Sequence, residues 1–177
     1  GPGDNRPTLH LWDLGQGRHL RAIAIDSLLS LAAIAISPDG RQALVGGTAR
    51  PGDSSLELWD LDSGRRIRNF PSLDKNLTTV AFSPTKALVM AGHGTYLYLF
   101  DVGSGDFLRQ FDTGHTSSLP GGDKRVHAVF TPDGYYIVSG GPDAVLKMWD
   151  VETTEKVQHW AGHKRSLQGG ITGIAVS

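Results

Sequence analysis

Apolar and polar residues alternate with a period of two through most of the chain. The runs LAAIAI (31–36), LTTVAF (77–82) and VHAVF (126–130) each lead into a Ser/Thr-Pro turn, at ISPDG, FSPTK and FTPDG. Successive side chains of a strand point to opposite faces, so this alternation predicts strands. The Ser-Pro-Asp-Gly order suits a β-turn with proline at its second position and glycine at its fourth. Another β-rich run follows each turn: QALVGG, KALVMAG and YYIVSGG. A third strand is predicted over LHLWDL (9–14), which returns as LELWDL (56–61), LYLFDV (97–102) and LKMWDV (146–151). After a tight polar turn (DLGQG, DLDSG, DVGSG, DVETT) comes a fourth: RHLRAIAI, RRIRNF, DFLRQF and KVQHW. Units of this kind leave no room for helices, and the expected fold class is all-β.

The aromatic positions of the recurring segment, Trp12, Trp59, Phe100 and Trp149, lie 47, 41 and 49 residues apart, a spacing that signals a repeat architecture. The phased set of Trp-Asp or Phe-Asp dipeptides, the three Ser/Thr-Pro turns, and the Gly114-His115 and Gly162-His163 dipeptides together resemble the WD-repeat (WD40) β-propeller family. The resemblance covers essentially the whole chain. It implies a β-propeller of four-stranded antiparallel blades, with an incomplete ring in this chain. Residues 1–177 then read as a single partial propeller, with blade fragments at 1–30 and 169–177 and full blades at about 31–72, 77–112 and 125–160. The physical reason for the repetition is that a sheet with two apolar faces buries both only by stacking between neighbours. In LHLWDL the leucines and the His10/Trp12 side are expected on opposite faces. An open arc would leave apolar faces in water. The expectation is therefore a longer polypeptide, or a half-propeller that self-assembles into a closed ring.

The resemblance also implies a buried hydrogen-bonded set in each blade. Only one repeat fits it completely, with His115, Ser139, Asp143 and Trp149. In the second repeat Asp53 and Trp59 have the family spacing, but Gly46 stands where the hydroxyl belongs and Asp26 or a neighbour where the histidine belongs. In the third, Met90, Gly94 and Phe100 replace the polar members. Those two blades are expected to be held by apolar packing. Ser139, His115 and Asp143 are also the residue types of a nucleophilic triad, yet their spacing is that of the repeat, so no catalytic residue is assigned and no enzyme is expected. His159 and His163 lie four apart on a predicted strand, which places them about 13 Å from each other, and no metal is assigned. The glycine-rich stretches precede strands and lack phosphate-loop spacing, so no cofactor is expected. The sequon Asn76-Leu77-Thr78 sits at the entry to a predicted buried strand, where glycosylation is not expected.

Composition changes this picture little. The chain has 17 basic and 18 acidic residues, a net charge of −1, and no cysteine. That balance argues against a dedicated nucleic-acid surface or a polybasic membrane patch, and a disulfide framework or thiolate site is excluded. No apolar run has membrane-spanning length and no signal peptide opens the chain, so a cytoplasmic compartment is the expectation. Lengths between landmarks are more informative. The Ser/Thr-Pro turn and the turn after each Trp-Asp are uniformly short, whereas additions fall at 48–55, 114–125 and 163–170. In a propeller these connections share one end. That end carries Arg50, Lys124, Arg125, Lys164 and Arg165, with Leu119 and Leu167 as apolar anchors, and is the candidate docking face. Arg65 and Arg66 fall on the opposite, short-turn face. The function expected is a non-enzymatic protein–protein interaction scaffold, binding a protein partner or another domain of a longer chain. The alternative is an accessory propeller of a larger enzyme or signalling protein.

Overall fold

The computed structural model describes residues 6–73, 77–116, 125–161 and 170–177. All regular structure in them is β-strand. β1 (Thr8–Asp13) and β2 (Arg18–Ala24) form a hairpin. Three four-stranded antiparallel sheets follow, each in simple up-and-down order. The first contains β3 (Ser30–Ile36), β4 (Gln42–Arg50), β5 (Asp53–Asp60) and β6 (Arg65–Asn69). The second contains β7 (Leu77–Phe82), β8 (Leu88–His93), β9 (Tyr96–Asp101) and β10 (Phe107–Asp112). The third contains β11 (His127–Phe130), β12 (Tyr136–Gly140), β13 (Val145–Asp150) and β14 (Lys156–Ala161).

The alternation sorts side chains between interfaces. Ala43, Val45 and Trp59 of the first sheet meet Leu9 and Ile23 of the hairpin, while Leu44, Leu56 and Leu58 on its other face meet Val80, Val89 and Phe100 of the second. The second sheet in turn offers Leu88, Met90, Leu97 and Leu99 to Phe130, Ile137 and Trp149 of the third. Each aromatic of the recurring segment therefore faces back toward the preceding sheet. Trp59, Phe100 and Trp149 are buried that way, whereas Trp12 has no sheet behind it among the described residues and is 56% exposed.

The acidic residue after each aromatic closes the turn to the outermost strand. Asp13, Asp60, Asp101 and Asp150 accept backbone N–H bonds from Gly15 and Gln16, from Ser63, from Ser104, and from Glu152 and Thr153. Hydrogen bonds favour the charged carboxylate and hold three of these pKa values below the ordinary one: at Asp60 the Ser63 hydroxyl first and then its N–H, at Asp101 the Ser104 N–H, and at Asp150 the Thr153 N–H. The tight turn also needs a left-handed residue, supplied by Gly17, Gly64 and Gly105 with φ of 60°, 70° and 82°. In the last repeat Thr154 occupies that position at φ 64°.

An arginine nine residues after each of the first three aromatics clamps the next sheet. Arg21 donates to the Asp62 carbonyl oxygen, Arg68 to that of Gly103, and Arg109 to the Glu152 carboxylate at 3.0 Å. All three acceptors lie three residues beyond the next aromatic, so the contact is as periodic as the packing. Lys86 adds a 2.8 Å bond to Glu152, joining the second sheet to the third.

The addition at 48–55 lengthens a hairpin: β4 and β5 continue through it as a paired ribbon to a Pro51-Gly52 turn in which Gly52 takes φ 91°. Residues 171–177, in the blade fragment expected at 169–177, form no strand; among the described residues the Ile171 N–H donates to the Gly141 carbonyl at 2.9 Å.

Candidate functional site

The structure brings His115, Ser139, Asp143 and Trp149 together between the second and third sheets. The indole Nε1–H of Trp149 donates to Ser139 Oγ at 2.9 Å, and Ser139 Oγ lies 2.9 Å from His115 Nε2. On the other side of the ring, His115 Nδ1 lies 2.7 Å from Asp143 Oδ1. The chain of donors fixes the tautomer: the Ser139 O–H donates a hydrogen bond to Nε2, and Nδ1–H donates to the carboxylate. Asp143 also accepts the Val145 N–H at 3.3 Å, and Lys147 Nζ lies 3.4 Å from Oδ2. Burial holds the His115 pKa below its ordinary value, against the smaller opposing pull of the Asp143 hydrogen bond and charge. Local sequence makes the arrangement fit. A Cβ on Gly141 would stand 2.6 Å from His115 Cβ, so only glycine leaves room for the imidazole. Ser139 and His115 are both fully buried, and the serine hydroxyl is engaged on both sides. The set shares residue types with a nucleophilic triad, but both Ser139 and His115 are buried.

The second repeat departs from its expectation. Its first-sheet equivalent is not held by apolar packing alone, because Glu57, 1% exposed, forms a second polar hub. Its carboxylate accepts from Trp59 Nε1 at 2.9 Å, Ser27 Oγ at 2.8 Å, Ser55 Oγ at 3.3 Å and Arg66 Nη1 at 3.3 Å. Asp53 sits exposed at the hairpin turn opposite Arg50, and Asp26 pairs with Arg6 at 3.0 Å instead of entering the interface. The space above Gly46 is filled by Leu77 and Val80. The signal that was available is the acidic residue two positions before Trp59, hence on the same strand face, in a segment otherwise apolar. Arg66, placed on the short-turn face, belongs to this hub. In the third repeat Met90 and Phe100 are fully buried without polar partners of this kind, and Phe100 packs on Phe70 at 5.4 Å.

Of the candidate docking residues, Arg50 and Arg125 are exposed among the described residues. Lys124, Lys164, Arg165, Leu119 and Leu167 lie outside the described residues, as do His163 and Asn76. Among the described residues, no group of three or more His, Cys, Asp or Glu side chains is placed to hold a metal ion. No helix is long and apolar enough to cross a membrane.

Stacked four-stranded antiparallel sheets, each carrying an aromatic at the same position and the same capped turn, define among the described residues an open, unclosed β-propeller. The family described as WD domain, G-beta repeat matches residues 106–150, which span the Gly-His, Ser-Gly-Gly and Trp-Asp positions of the complete polar set. The chain is 27% identical over 126 residues to the small ribosomal subunit protein RACK1 of Schizosaccharomyces pombe, covering 68% of this chain and 38% of that protein. It is 25% identical over 178 residues to the cilia- and flagella-associated protein 52 of Sus scrofa, covering 99% of this chain and 26% of that protein. A WD repeat-containing protein 26 homolog of Drosophila melanogaster is 34% identical over 107 residues, 56% of this chain and 16% of its own length. Residues 106–150 thus match one WD repeat, and the chain is similar to WD-repeat proteins while spanning well under half the length of these curated relatives.

Proposed function

We propose that this chain is a partial WD-repeat propeller whose function is to dock a protein partner, through the end where its connections vary in length. WD-repeat proteins serve generally as interaction scaffolds, and the polar chemistry in the described residues supports that reading. The one set that resembles catalytic machinery is sealed and saturated as a structural pin. The observation that carries the choice of face is topological. In up-and-down sheets the β4–β5 ribbon and the connections leaving β10 and β14 emerge at one end. The opposite end is tied down by capped turns and arginine clamps. The variable end carries Arg50 and Arg125, with Lys124, Lys164, Arg165, Leu119 and Leu167 in the adjoining connections. An acidic peptide is the partner chemistry that this charge favours. The propeller acts within a longer polypeptide or a multi-chain ring, since apolar residues such as Trp12, Ile34 and Ile36 are otherwise open to water.

The test is a titration of the chain with a poly-glutamate peptide, repeated with Lys124, Arg125, Lys164 and Arg165 all changed to Glu. The fourfold change abolishes binding and leaves the unfolding midpoint unaltered. Reversal of Arg18 and Arg65, at the short-turn end, leaves binding intact. Loss of binding with the second pair and not with the first four would move the docking surface to the other end.

A further inference from the structure

The second sheet places rings at three positions that the other sheets fill with other residue types. Tyr96, Tyr98 and Phe107 stand four before, two before and seven after the recurring aromatic Phe100. The same positions hold Ser55, Glu57 and Arg66 in the first sheet, and Val145, Lys147 and Lys156 in the third. Packing of the repeat therefore does not demand these rings. They form a continuous ladder, with the Tyr96 and Tyr98 centroids 6.3 Å apart at 49°, and those of Tyr98 and Phe107 6.5 Å apart at 57°. Phe107 rests on buried Phe100 at 6.0 Å, which rests in turn on buried Phe70 at 5.4 Å, so the outer rings stand on a fixed base. Phe107 is 50% exposed, and both tyrosines are partly so. The register sets Tyr96 opposite Asp112, Tyr98 opposite Gln110 and Phe100 opposite Phe107, which puts all six side chains on one face. The charges that bracket β10 are both acidic: Asp106 just before it and Asp112 at its end are exposed, and Asp112 accepts the Gly114 N–H at 3.1 Å. The neighbouring cations are committed elsewhere, Arg109 to Glu152 and Arg68 to the Gly103 carbonyl oxygen.

We infer that this wall docks a proline-rich segment of a partner protein in the polyproline II conformation, with Lys or Arg at each end of its proline run. Rings inclined at 49° and 57° leave notches between them, which suit pyrrolidine rings, whereas a stacked base needs a flat platform. The spacing agrees, because two residues of polyproline II rise about 6.2 Å and successive rings of the ladder stand 6.3 and 6.5 Å apart. So does the length. The stretch from Asp106 to Asp112 covers about 20 Å of strand, and a run of six polyproline II residues covers about 19 Å, which brings a cation at each end of the run to a carboxylate. Strand addition is the less suitable mode for this edge. The register of β10 skips Leu108, and a bulge of that kind breaks the flat ladder that an added strand needs. A polyproline segment is read through its side chains and loses little conformational freedom on docking, so a shallow wall is enough to hold it.

The test is a calorimetric titration of the 177-residue chain with a hexaproline peptide carrying a lysine at each end. Two control peptides replace the lysines by glutamates, or the prolines by alternating glycine and serine. The Lys-flanked hexaproline binds, and both controls bind at least about tenfold more weakly. Phe107→Ala weakens binding at least about tenfold, as loss of an aromatic anchor does, and Asp112→Asn weakens it up to about fivefold, as loss of an exposed charge pair does. Independently of any variant, the peptide shifts the ring NMR signals of Tyr96, Tyr98 and Phe107 and leaves those of Tyr135, exposed in the turn before β12, unmoved. Absence of binding, equal binding of the glycine-serine control, wild-type affinity in Phe107→Ala, or shifts at Tyr135 in place of the ladder overturns the assignment. So does a concentration-dependent dimer in sedimentation that Phe107→Ala abolishes, since the wall would then belong to a second copy of the chain.

Discussion

Ser139→Ala removes a single oxygen and tests whether the buried polar set holds the third sheet to the second. The change creates almost no cavity, so its cost is electrostatic. It strands the Trp149 indole N–H and the His115 Nε2 acceptor, each now bonded to Ser139 Oγ at 2.9 Å in a site closed to water. An orphaned buried polar group costs about 1–3 kcal/mol, so the two together predict a loss of about 2–6 kcal/mol. Trp149→Phe removes the indole donor along with the need to satisfy it, at the cost of some lost packing. The double variant should therefore be less destabilised than the sum of the singles by about 1 kcal/mol or more. Urea unfolding followed by far-ultraviolet circular dichroism measures all three, with the slope checked for constancy. A Ser139→Ala loss below about 0.5 kcal/mol, or strict additivity with Trp149→Phe, would refute the reasoning and leave apolar packing as the agent that holds the sheets together.

Thr154→Gly should stabilise the chain by about 0.5–1 kcal/mol, because a left-handed β-branched residue costs about 1–2 kcal/mol and glycine gives back only part of that in unfolded-state entropy; the urea midpoint reads the gain. Glu57→Ala should cost about 2–4 kcal/mol by stranding Trp59 Nε1–H and two serine hydroxyls, with Trp59 fluorescence shifting as the hairpin loosens from the first sheet. Stability should also fall as pH drops below 6.5, the ordinary histidine value. There the unfolded chain takes up a proton that buried His115 refuses, so this contribution is complete above that value and is lost as pH approaches the lower folded pKa. Urea midpoints between pH 7.5 and 5.5 should show the fall, and His115→Asn should flatten it. The turn aspartates act in a separate window, since their lowered pKa values keep their contribution until pH falls below the ordinary carboxylate range.

The sequence by itself determined the strands, their order within each sheet and the repeat that aligns them. These follow from period-two alternation and from local turn chemistry, both of which are written in neighbouring residues. Trp59, Phe100 and Trp149 were legible as equivalent positions for that reason, and so was the grouping of His115, Ser139, Asp143 and Trp149, once the resemblance supplied the family pattern. Contacts between sheets were not legible in the same way. Glu57 reads as an ordinary strand residue until the neighbouring hairpin brings Ser27 against it from thirty positions away. Arg21, Arg68 and Arg109 read as surface charge until the next sheet sets a turn beneath each guanidinium. His10 and His19 meet only through the register that closes the hairpin. Local pattern specifies how a strand runs and which side chains share its face. What those side chains meet is decided by the stacking of sheets, where burial removes water and makes every unpaired donor and acceptor find a partner supplied by a distant part of the chain.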